Sequence, residues 1–150
     1  MKRLIWAAAA AGLVAGCSAG PRFWERSDLV VEPAVCAEHR FEIYFAEGQA
    51  RLTAPARQLI ETTAAALKAC DIRRVQVLGL ADATGAPSAN LTLSQRRANT
   101  VAAAFAEAGW PAPAFDVAAA GDQGAITASG AAEPLRRRTE VVVHAVAPGR

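Results

Sequence analysis

The sequence predicts an α+β domain, a two-layer βαβαββ sandwich whose helices lie on one face of a mixed four-stranded sheet. Short runs alternate apolar and polar residues, as strands do, and two longer runs repeat apolar residues every three or four positions, as amphipathic helices do. These runs alternate along the chain, an order that packs helices against a sheet. The chain of 150 residues is 53% hydrophobic and 20% charged, which suits one domain with its own core.

The first half of the domain is predicted as strand, helix and strand. Residues 40–45 form the first strand, because Phe41, Ile43 and Phe45 alternate with polar neighbours. Thr53 caps the helix, and Pro55 fits its first turn, where no intrahelical N–H bond is lost. The predicted buried face of this helix consists of Leu59, Ile60, Thr63, Ala64 and Leu67. Residues 73–80 then return the chain to the sheet as a second strand.

The second half continues with a loop over residues 81–87 and a second helix. Asn90 or Thr92 can open this helix, and Gly109 and Pro111 end it. Its predicted buried face consists of Ser94, Ala98, Val101, Ala102 and Phe105. A third strand, a long loop and a last strand follow, with inward residues Phe115, Val117, Ala119, Val141, Val143 and Ala145.

The N-terminal segment is predicted to direct export. Lys2 and Arg3 precede an apolar run of 13 residues, from Leu4 to Gly16. A membrane-spanning helix needs about 20 such residues, whereas the apolar part of a signal peptide needs about 7–15. The run therefore indicates a cleaved signal peptide rather than a transmembrane helix.

The end of this segment, residues 14–17, resembles the lipobox of bacterial lipoproteins. The resemblance implies cleavage before Cys17, lipid attachment to Cys17 and, because Ser18 follows, delivery to the outer membrane, with the protein facing the periplasm. The alternative is an ordinary secretory signal in which Cys17 is incidental. The predicted organisation is a signal peptide over residues 1–16, a lipid-anchored tether over 17–38 and a globular domain over 39–147.

The charge of the mature chain argues against nucleic-acid binding. Sixteen Lys and Arg residues accompany fourteen Asp and Glu residues, and loss of Lys2 and Arg3 with the signal peptide leaves fourteen of each. A protein that holds nucleic acid through its phosphates needs an excess of basic residues. We therefore expect no nucleic acid among its partners.

Cys36 and Cys70 are predicted to form a disulfide, because export places them in an oxidising compartment. Cys36 precedes the first predicted strand, and Cys70 lies between the first helix and the second strand. If those strands are parallel, both cysteines lie at the same edge of the sheet. A metal site built from Cys36, His39 and Cys70 is the alternative, although it lacks a clear fourth ligand.

Four segments between about residue 40 and residue 146 carry a family resemblance. They are Ile43-Tyr44-Phe45 with Leu52-Thr53, the loop from Leu78 to Gly85, the helix residues Asn90, Leu93, Ser94, Arg96, Arg97, Ala98 and Asn99, and the final Arg137, Arg138 and Glu140. Together they resemble the OmpA-like peptidoglycan-binding domain, as found in the peptidoglycan-associated lipoprotein. Leu80 and Ala81 stand where that family has histidine and threonine, and Arg136 stands where it has asparagine or aspartate.

The resemblance implies non-covalent binding of peptidoglycan, with Asp82, Arg97, Asn90 and Arg138 as candidate binding residues. Diaminopimelate in the wall's stem peptides ends in an ammonium beside a carboxylate. Asp82 would accept from the ammonium, and the planar guanidinium of Arg97 would bind the carboxylate. Asp82 follows a strand and precedes a helix, which is where open α/β sheets place ligands.

No catalytic pattern accompanies these residues. Neither histidine, His39 or His144, lies near a plausible nucleophile in sequence, and no paired-carboxylate, metal or phosphate-loop spacing occurs. We therefore expect no enzymatic activity, no cofactor and no metal. The expected partners are peptidoglycan and, through the lipid, the outer membrane. The alternative function is an accessory lipoprotein that uses the same fold to dock on other envelope proteins.

Overall fold

A computed structural model describes residues 35–111 and 114–149, which contain one four-stranded sheet. Its strands are β1 (Glu38–Tyr44), β2 (Asp71–Gly79), β3 (Phe115–Ala119) and β4 (Arg138–Val146). The order across the sheet is β1-β4-β2-β3, with β4 antiparallel to both neighbours and β2 parallel to β3. The predicted mixed sheet is confirmed, and β1 and β2 run in the same direction on either side of β4.

Two α-helices connect the strands in the described part of the chain, α1 (Ala54–Ala66) and α2 (Pro87–Glu107). The Thr53 hydroxyl caps α1 as predicted, accepting from the Ala56 N–H at 3.3 Å. The start of α2 differs from the prediction, because Pro87 lies in its first turn and Ala86 occupies the N-cap without a side-chain bond. Asn90 therefore does not cap the helix; its backbone N–H donates to the Ala86 carbonyl inside the first turns.

The hydrophobic core lies between the helices and one face of the sheet. Alternate residues of the two central strands, Val75 and Val77 in β2 and Val141 and Val143 in β4, are at most 1% exposed. The helices contribute Ile60, Ala64, Ala98, Val101 and Phe105 to the same core. Leu59, predicted on the buried face of α1, is 38% exposed instead, because the buried residues Ala56, Ile60 and Ala64 are spaced four apart and Leu59 lies one position before Ile60.

Helix α2 approaches the sheet closely at Gly79, the last residue of β2. A Cβ atom added to Gly79 would lie 1.9 Å from the carbonyl oxygen of Ser94 and 3.1 Å from the Cβ of Ala98. The absent side chain thus lets the backbone of α2 rest directly on β2. This contact fixes α2 next to the point where the chain leaves the sheet.

The Cys36–Cys70 disulfide predicted from sequence is present, with an S–S distance of 2.04 Å and a Cα–Cα distance of 5.5 Å. It joins the residues before β1 to the start of β2, at the edge of the sheet where both strands begin. The alternative metal site is wrong, because the two sulfurs bond each other. His39 instead places its Nε2 2.9 Å from the carbonyl oxygen of Val35.

The predicted signal peptide, the lipidated Cys17 and residues 17–34 of the tether lie outside the described residues. Among the residues that the structure does describe, neither helix has the length and apolar character needed to cross a membrane.

Candidate functional site

The candidate site lies at the C-terminal end of β2, in the loop that leads to α2. Backbone bonds hold both sides of this loop: the Leu80 N–H donates to the Arg138 carbonyl at 2.9 Å, and the Ala81 N–H donates to the Gly121 carbonyl at 2.7 Å. Leu80 and Ala81 are at most 1% exposed. The loop therefore leaves the sheet at a fixed angle and presents the next residue, Asp82, at the rim of the core.

Asp82 is 8% exposed and is bound on both carboxylate oxygens. Its Oδ1 accepts from the Thr84 N–H at 3.2 Å, and its Oδ2 accepts from Nη1 of Arg137 at 3.0 Å. Burial alone would raise the pKa of this carboxyl, but the Arg137 guanidinium and the Thr84 N–H outweigh burial and lower the pKa below its ordinary value. Asp82 is therefore a carboxylate at neutral pH.

Arg97 lies in the middle of α2 and is completely buried. Its Nε, Nη1 and Nη2 donate to the carbonyl oxygens of Gln49, Leu80 and Ala46 at 2.8, 2.8 and 3.2 Å. The guanidinium also lies 5.2 Å from the ring centroid of Phe45, a cation–π distance. Burial lowers the pKa of Arg97, and the negative charge of Asp82 opposes that effect. The bond to the Leu80 carbonyl places the Arg97 guanidinium at the loop that carries Asp82, and their joint role in binding a ligand stays a prediction.

Arg138 lies on the opposite face of the sheet from Arg97. Its neighbour Thr139 is buried against the core, so Arg138 and Glu140 point to the face that the helices leave open. There the Arg138 guanidinium pairs with Glu42 at 3.2 Å and with Glu140 at 2.7 Å. The Arg138 side chain therefore does not reach Asp82, because successive strand residues point to opposite faces, and its predicted role in peptidoglycan binding stays a prediction.

The arginine that does reach Asp82 is Arg137, the residue between the 3₁₀ turn Pro134–Arg136 and β4. Its side chain is 32% exposed, compared with 12% for the Asp82 side chain. Arg137 belongs to the family motif but was not among the predicted binding residues. Arg137 and Arg138 are adjacent, and which of the two side chains faces Asp82 depends on the residue at which β4 begins. The sequence alone does not show that residue.

Asn90, another candidate binding residue, is 4% exposed and donates from Nδ2 to Oδ2 of Asp122 at 3.0 Å. Asp122 lies in the loop between β3 and β4 and was not predicted as a site residue. Gly121 brings this loop against α2: its N–H donates to the Ser94 hydroxyl at 3.0 Å. The structure therefore places Asp82, Arg97, Arg137, Asn90 and Asp122 at one end of the sheet.

Replacing Arg137 with methionine is expected to raise the pKa of Asp82, because the main partner that lowers it is lost. The carboxylate stabilises the fold above its unfolded pKa of about 3.9, and this contribution disappears as the pH falls through the lower folded value. Arg137→Met should therefore narrow the pH range of full stability on its acidic side. A carbon-13 NMR titration of the Asp82 carboxyl measures the shift directly.

Arg138→Met is the matched control, since Arg138 pairs with Glu42 and Glu140 on the other face. An unchanged Asp82 midpoint in Arg137→Met, or an equal rise in both variants, would contradict the pairing described above.

The fold and this loop define a small α+β domain with a charged, mostly buried site at one end of its sheet. A family model described as the OmpA family matches residues 44–139. The chain belongs to the OmpA family.

Two curated relatives are longer than this chain. The outer-membrane lipoprotein YfiB of Pseudomonas aeruginosa is 40% identical over 76 residues, which cover 51% of this chain and 45% of the relative. An outer membrane protein of Gluconacetobacter diazotrophicus is 31% identical over 110 residues, which cover 68% of this chain and 29% of the relative. The chain thus spans less than half the length of either relative. The family and the names of these relatives indicate envelope proteins rather than enzymes.

Solved structures share the fold. The peptidoglycan-associated lipoprotein of Burkholderia pseudomallei is 22% identical, with a TM-score of 0.58 over 68% of this chain and 88% of that chain. The OmpA-like domain of FopA1 from Francisella tularensis is 21% identical, with a TM-score of 0.60 over 70% and 71%. A structure described as the cell wall anchor of the T6SS from Pseudomonas aeruginosa is 26% identical, with a TM-score of 0.58 over 78% and 87%. These structures confirm the predicted α+β architecture.

Proposed function

We propose that this protein binds peptidoglycan non-covalently through the diamino acid of the stem peptide and, through lipid on Cys17, links the outer membrane to the cell wall. The observation that carries the proposal is the pair of opposite charges at the end of β2. The Asp82 carboxylate lies at the rim of the core, and the Arg97 guanidinium binds the carbonyl oxygen of Leu80, two residues before Asp82, at 2.8 Å. An acid and a guanidinium so placed match the ammonium and carboxylate of one zwitterionic group.

Asp82 supplies the ammonium site in this proposal. Its lowered pKa keeps the carboxylate charged near neutral pH, where the ligand's amine is protonated. The Arg137 guanidinium holds Oδ2 of Asp82 in the free protein, so the ammonium shares that oxygen with Arg137 or displaces it. Arg137, being partly exposed beside Asp82, joins the proposed binding residues, and Arg138 remains a candidate on the other face of the sheet.

Arg97 supplies the carboxylate site, but only after a local movement. Its three bonds to carbonyl oxygens use three of the five guanidinium N–H groups. Two of these carbonyls belong to residues 46 and 49, at the ends of an exposed turn between β1 and α1. Since Arg97 is completely buried, the ligand's carboxylate reaches its remaining N–H groups when this turn moves aside.

The similar proteins support the same reading. One solved structure that shares the fold is a peptidoglycan-associated lipoprotein, and another, at 26% identity, is described as a cell wall anchor. One curated relative is named an outer-membrane lipoprotein. These names belong to those proteins, and their agreement favours wall binding by a lipid-anchored chain over the alternative of docking on another envelope protein.

Asp82→Asn is expected to weaken co-sedimentation with purified wall sacculi by roughly 30- to 150-fold in affinity. Loss of one charge from a partly desolvated pair costs about 2–3 kcal/mol, the lower end of the usual range, because this site must admit ligand and water. Asp116→Asn is the matched control: it removes the same charge from the open face of the sheet, where Asp116 pairs with Arg74. Circular dichroism checks that both variants fold.

The same assay tests the anchor when outer-membrane vesicles are added to sacculi. The full chain should bring vesicles down with the sacculi, whereas Cys17→Ser should bind sacculi without recovering vesicles. If the folded wild type does not bind sacculi, or if Asp82→Asn binds as well as the wild type, wall binding at this site is wrong. Docking on a protein of the envelope would then be the better function.

A further inference from the structure

The pair formed by Asn90 and Asp122 joins two segments that are 32 residues apart in sequence. Asn90 lies in the first turns of α2 and is 4% exposed, so its amide is almost wholly withdrawn from water. Its Nδ2 donates to Oδ2 of Asp122 at 3.0 Å. Asp122 itself is partly exposed, in the loop that follows β3.

Asp122 determines the orientation of the side-chain amide of Asn90. An ionised carboxylate only accepts hydrogen bonds, so the amide nitrogen must face Asp122 and the amide oxygen must face away from it. On that other side lies Gly85, whose added Cβ would have Oδ1 of Asn90 as its neighbour at 4.0 Å. Gly85 belongs to the same loop as Asp82 and Thr84. The hydrogen-bond acceptor of Asn90 is therefore turned toward the Asp82 loop.

The loop that carries Asp122 is held firmly enough to impose this orientation. Gly121 accepts from the Ala81 N–H at 2.7 Å and donates to the Ser94 hydroxyl at 3.0 Å. Gly121 also has φ +56°, and an added Cβ would lie 3.3 Å from the backbone of Leu91. The loop is thus bound on one side to the residue before Asp82 and on the other side to α2.

We propose that Asp122 is a positioning residue, which holds Asn90 as an acceptor so that the site offers a ligand's ammonium two acceptors, the Asp82 carboxylate and Oδ1 of Asn90. This inference rests on the proposed function and specifies the chemical group recognised. A primary ammonium carries three N–H donors and can satisfy both acceptors at once. An acetylated amine has one N–H and no charge, so it satisfies at most one of them.

The probes for the test are a synthetic stem peptide that contains diaminopimelate with its side-chain amine free, and the same peptide with that amine acetylated. Titration calorimetry on the full chain in detergent gives both affinities. The wild type should prefer the free amine. Asp122→Asn should bind the free-amine peptide about tenfold more weakly, because an amide at position 122 can donate as well as accept and so no longer fixes the orientation of the Asn90 amide. The ratio of the affinity for the free-amine peptide to the affinity for the acetylated peptide should also fall.

Two further variants separate orientation from charge and from folding. Asp116→Asn removes one negative charge elsewhere and should keep the wild-type preference. The reciprocal exchange, Asn90→Asp with Asp122→Asn, preserves net charge and hydrogen bond: the new amide donates to the new carboxylate, whose second oxygen faces the Asp82 loop. This exchange should restore affinity for the free-amine peptide to within about threefold of the wild type.

Unchanged binding by folded Asp122→Asn would overturn the inference. So would a reciprocal exchange that recovers the thermal stability of the wild type but not its affinity, because Asp122 would then be a structural residue alone. If the wild type binds neither peptide, the proposed function itself is overturned. If the wild type and Asp122→Asn bind the free-amine peptide equally well, only the role of Asp122 is overturned.

Discussion

Gly79→Ala is expected to destabilise the domain by about 3 kcal/mol, the upper end of the usual cost of overpacking. The added methyl group would lie 1.9 Å from the Ser94 carbonyl oxygen and 2.8 Å from its carbonyl carbon, both backbone atoms that no side-chain rotation can move away. The whole of α2 must shift to make room. Urea unfolding followed by circular dichroism should show a lower midpoint at an unchanged slope.

Gly48→Ala provides the comparison for this variant. Gly48 has φ +64°, which an L side chain adopts at a cost of about 1–2 kcal/mol, but an added Cβ there meets nothing within 4 Å. Gly79→Ala should therefore be the more destabilising of the two, although only Gly48 has a left-handed backbone. Equal stability of Gly79→Ala and the wild type would show that α2 does not rest on β2 in this way.

Arg97→Met is expected to destabilise the domain by about 3–5 kcal/mol, as removal of one partner from a buried charged network does. The variant keeps an apolar stem but removes the guanidinium donors from the carbonyl oxygens of Ala46, Gln49 and Leu80, of which the Ala46 oxygen still accepts from the Gln49 N–H. Arg97→Lys should recover only part of the loss, since a single ammonium cannot reproduce three donors arranged in a plane. The free energy of unfolding from urea titration tests both variants.

Arg96→Met is the control for Arg97→Met, because Arg96 directly precedes Arg97 in α2 and is exposed. Its replacement should change the free energy of unfolding by less than about 0.5 kcal/mol. Similar stability of the two methionine variants would refute the role of Arg97 in joining these segments. The double role of Arg97 also explains why Asp82, and not Arg97, is the residue to test for wall binding: a loss of binding in Arg97→Met would not separate ligand contact from unfolding.

Most of the fold could be predicted because its strands and helices depend on residues that are close together in the sequence. The alternation of Val75 with Val77, and of Val141 with Val143, reports which side of each strand meets the core. Thr53 caps α1 through a bond to a residue three positions away, so the sequence contains both partners within one turn. The disulfide could be predicted from the compartment and from the return of the chain to one edge of the sheet.

The start of α2 could not be predicted in the same way. The sequence predicted a polar residue, Asn90 or Thr92, at the start of this helix. The helix begins instead at Pro87, whose restricted φ suits a first turn without any side-chain cap. The observed N-cap, Ala86, lies four residues before Asn90, so Asn90 is not a helix cap but a buried residue bound to Asp122. An error in one boundary thus altered the interpretation of a site residue.

The remaining site residues depend on contacts that the sequence does not contain. Whether Arg137 or Arg138 reaches Asp82 depends on the phase of β4, and a shift of one residue exchanges the two faces of the sheet. Asp122 lies in a long loop without any periodic pattern, and only the packing of Gly121 against α2 brings it to Asn90. Such positions follow from tertiary structure, so no local motif could have indicated them.

The disulfide has a mechanical consequence. A pulling force applied between Val35 and Asp82 enters the domain at Cys36, crosses the disulfide to Cys70 and then follows the nine residues of β2. It bypasses β1, an edge strand that tension could otherwise peel away one hydrogen bond at a time. Both ends of this path lie on the same strand, so the covalent backbone of β2 carries the tension, and the hydrogen bonds that pair β2 with β3 and β4 do not have to transmit it. The disulfide thus directs tension through a central strand and away from the ladder between β1 and β4.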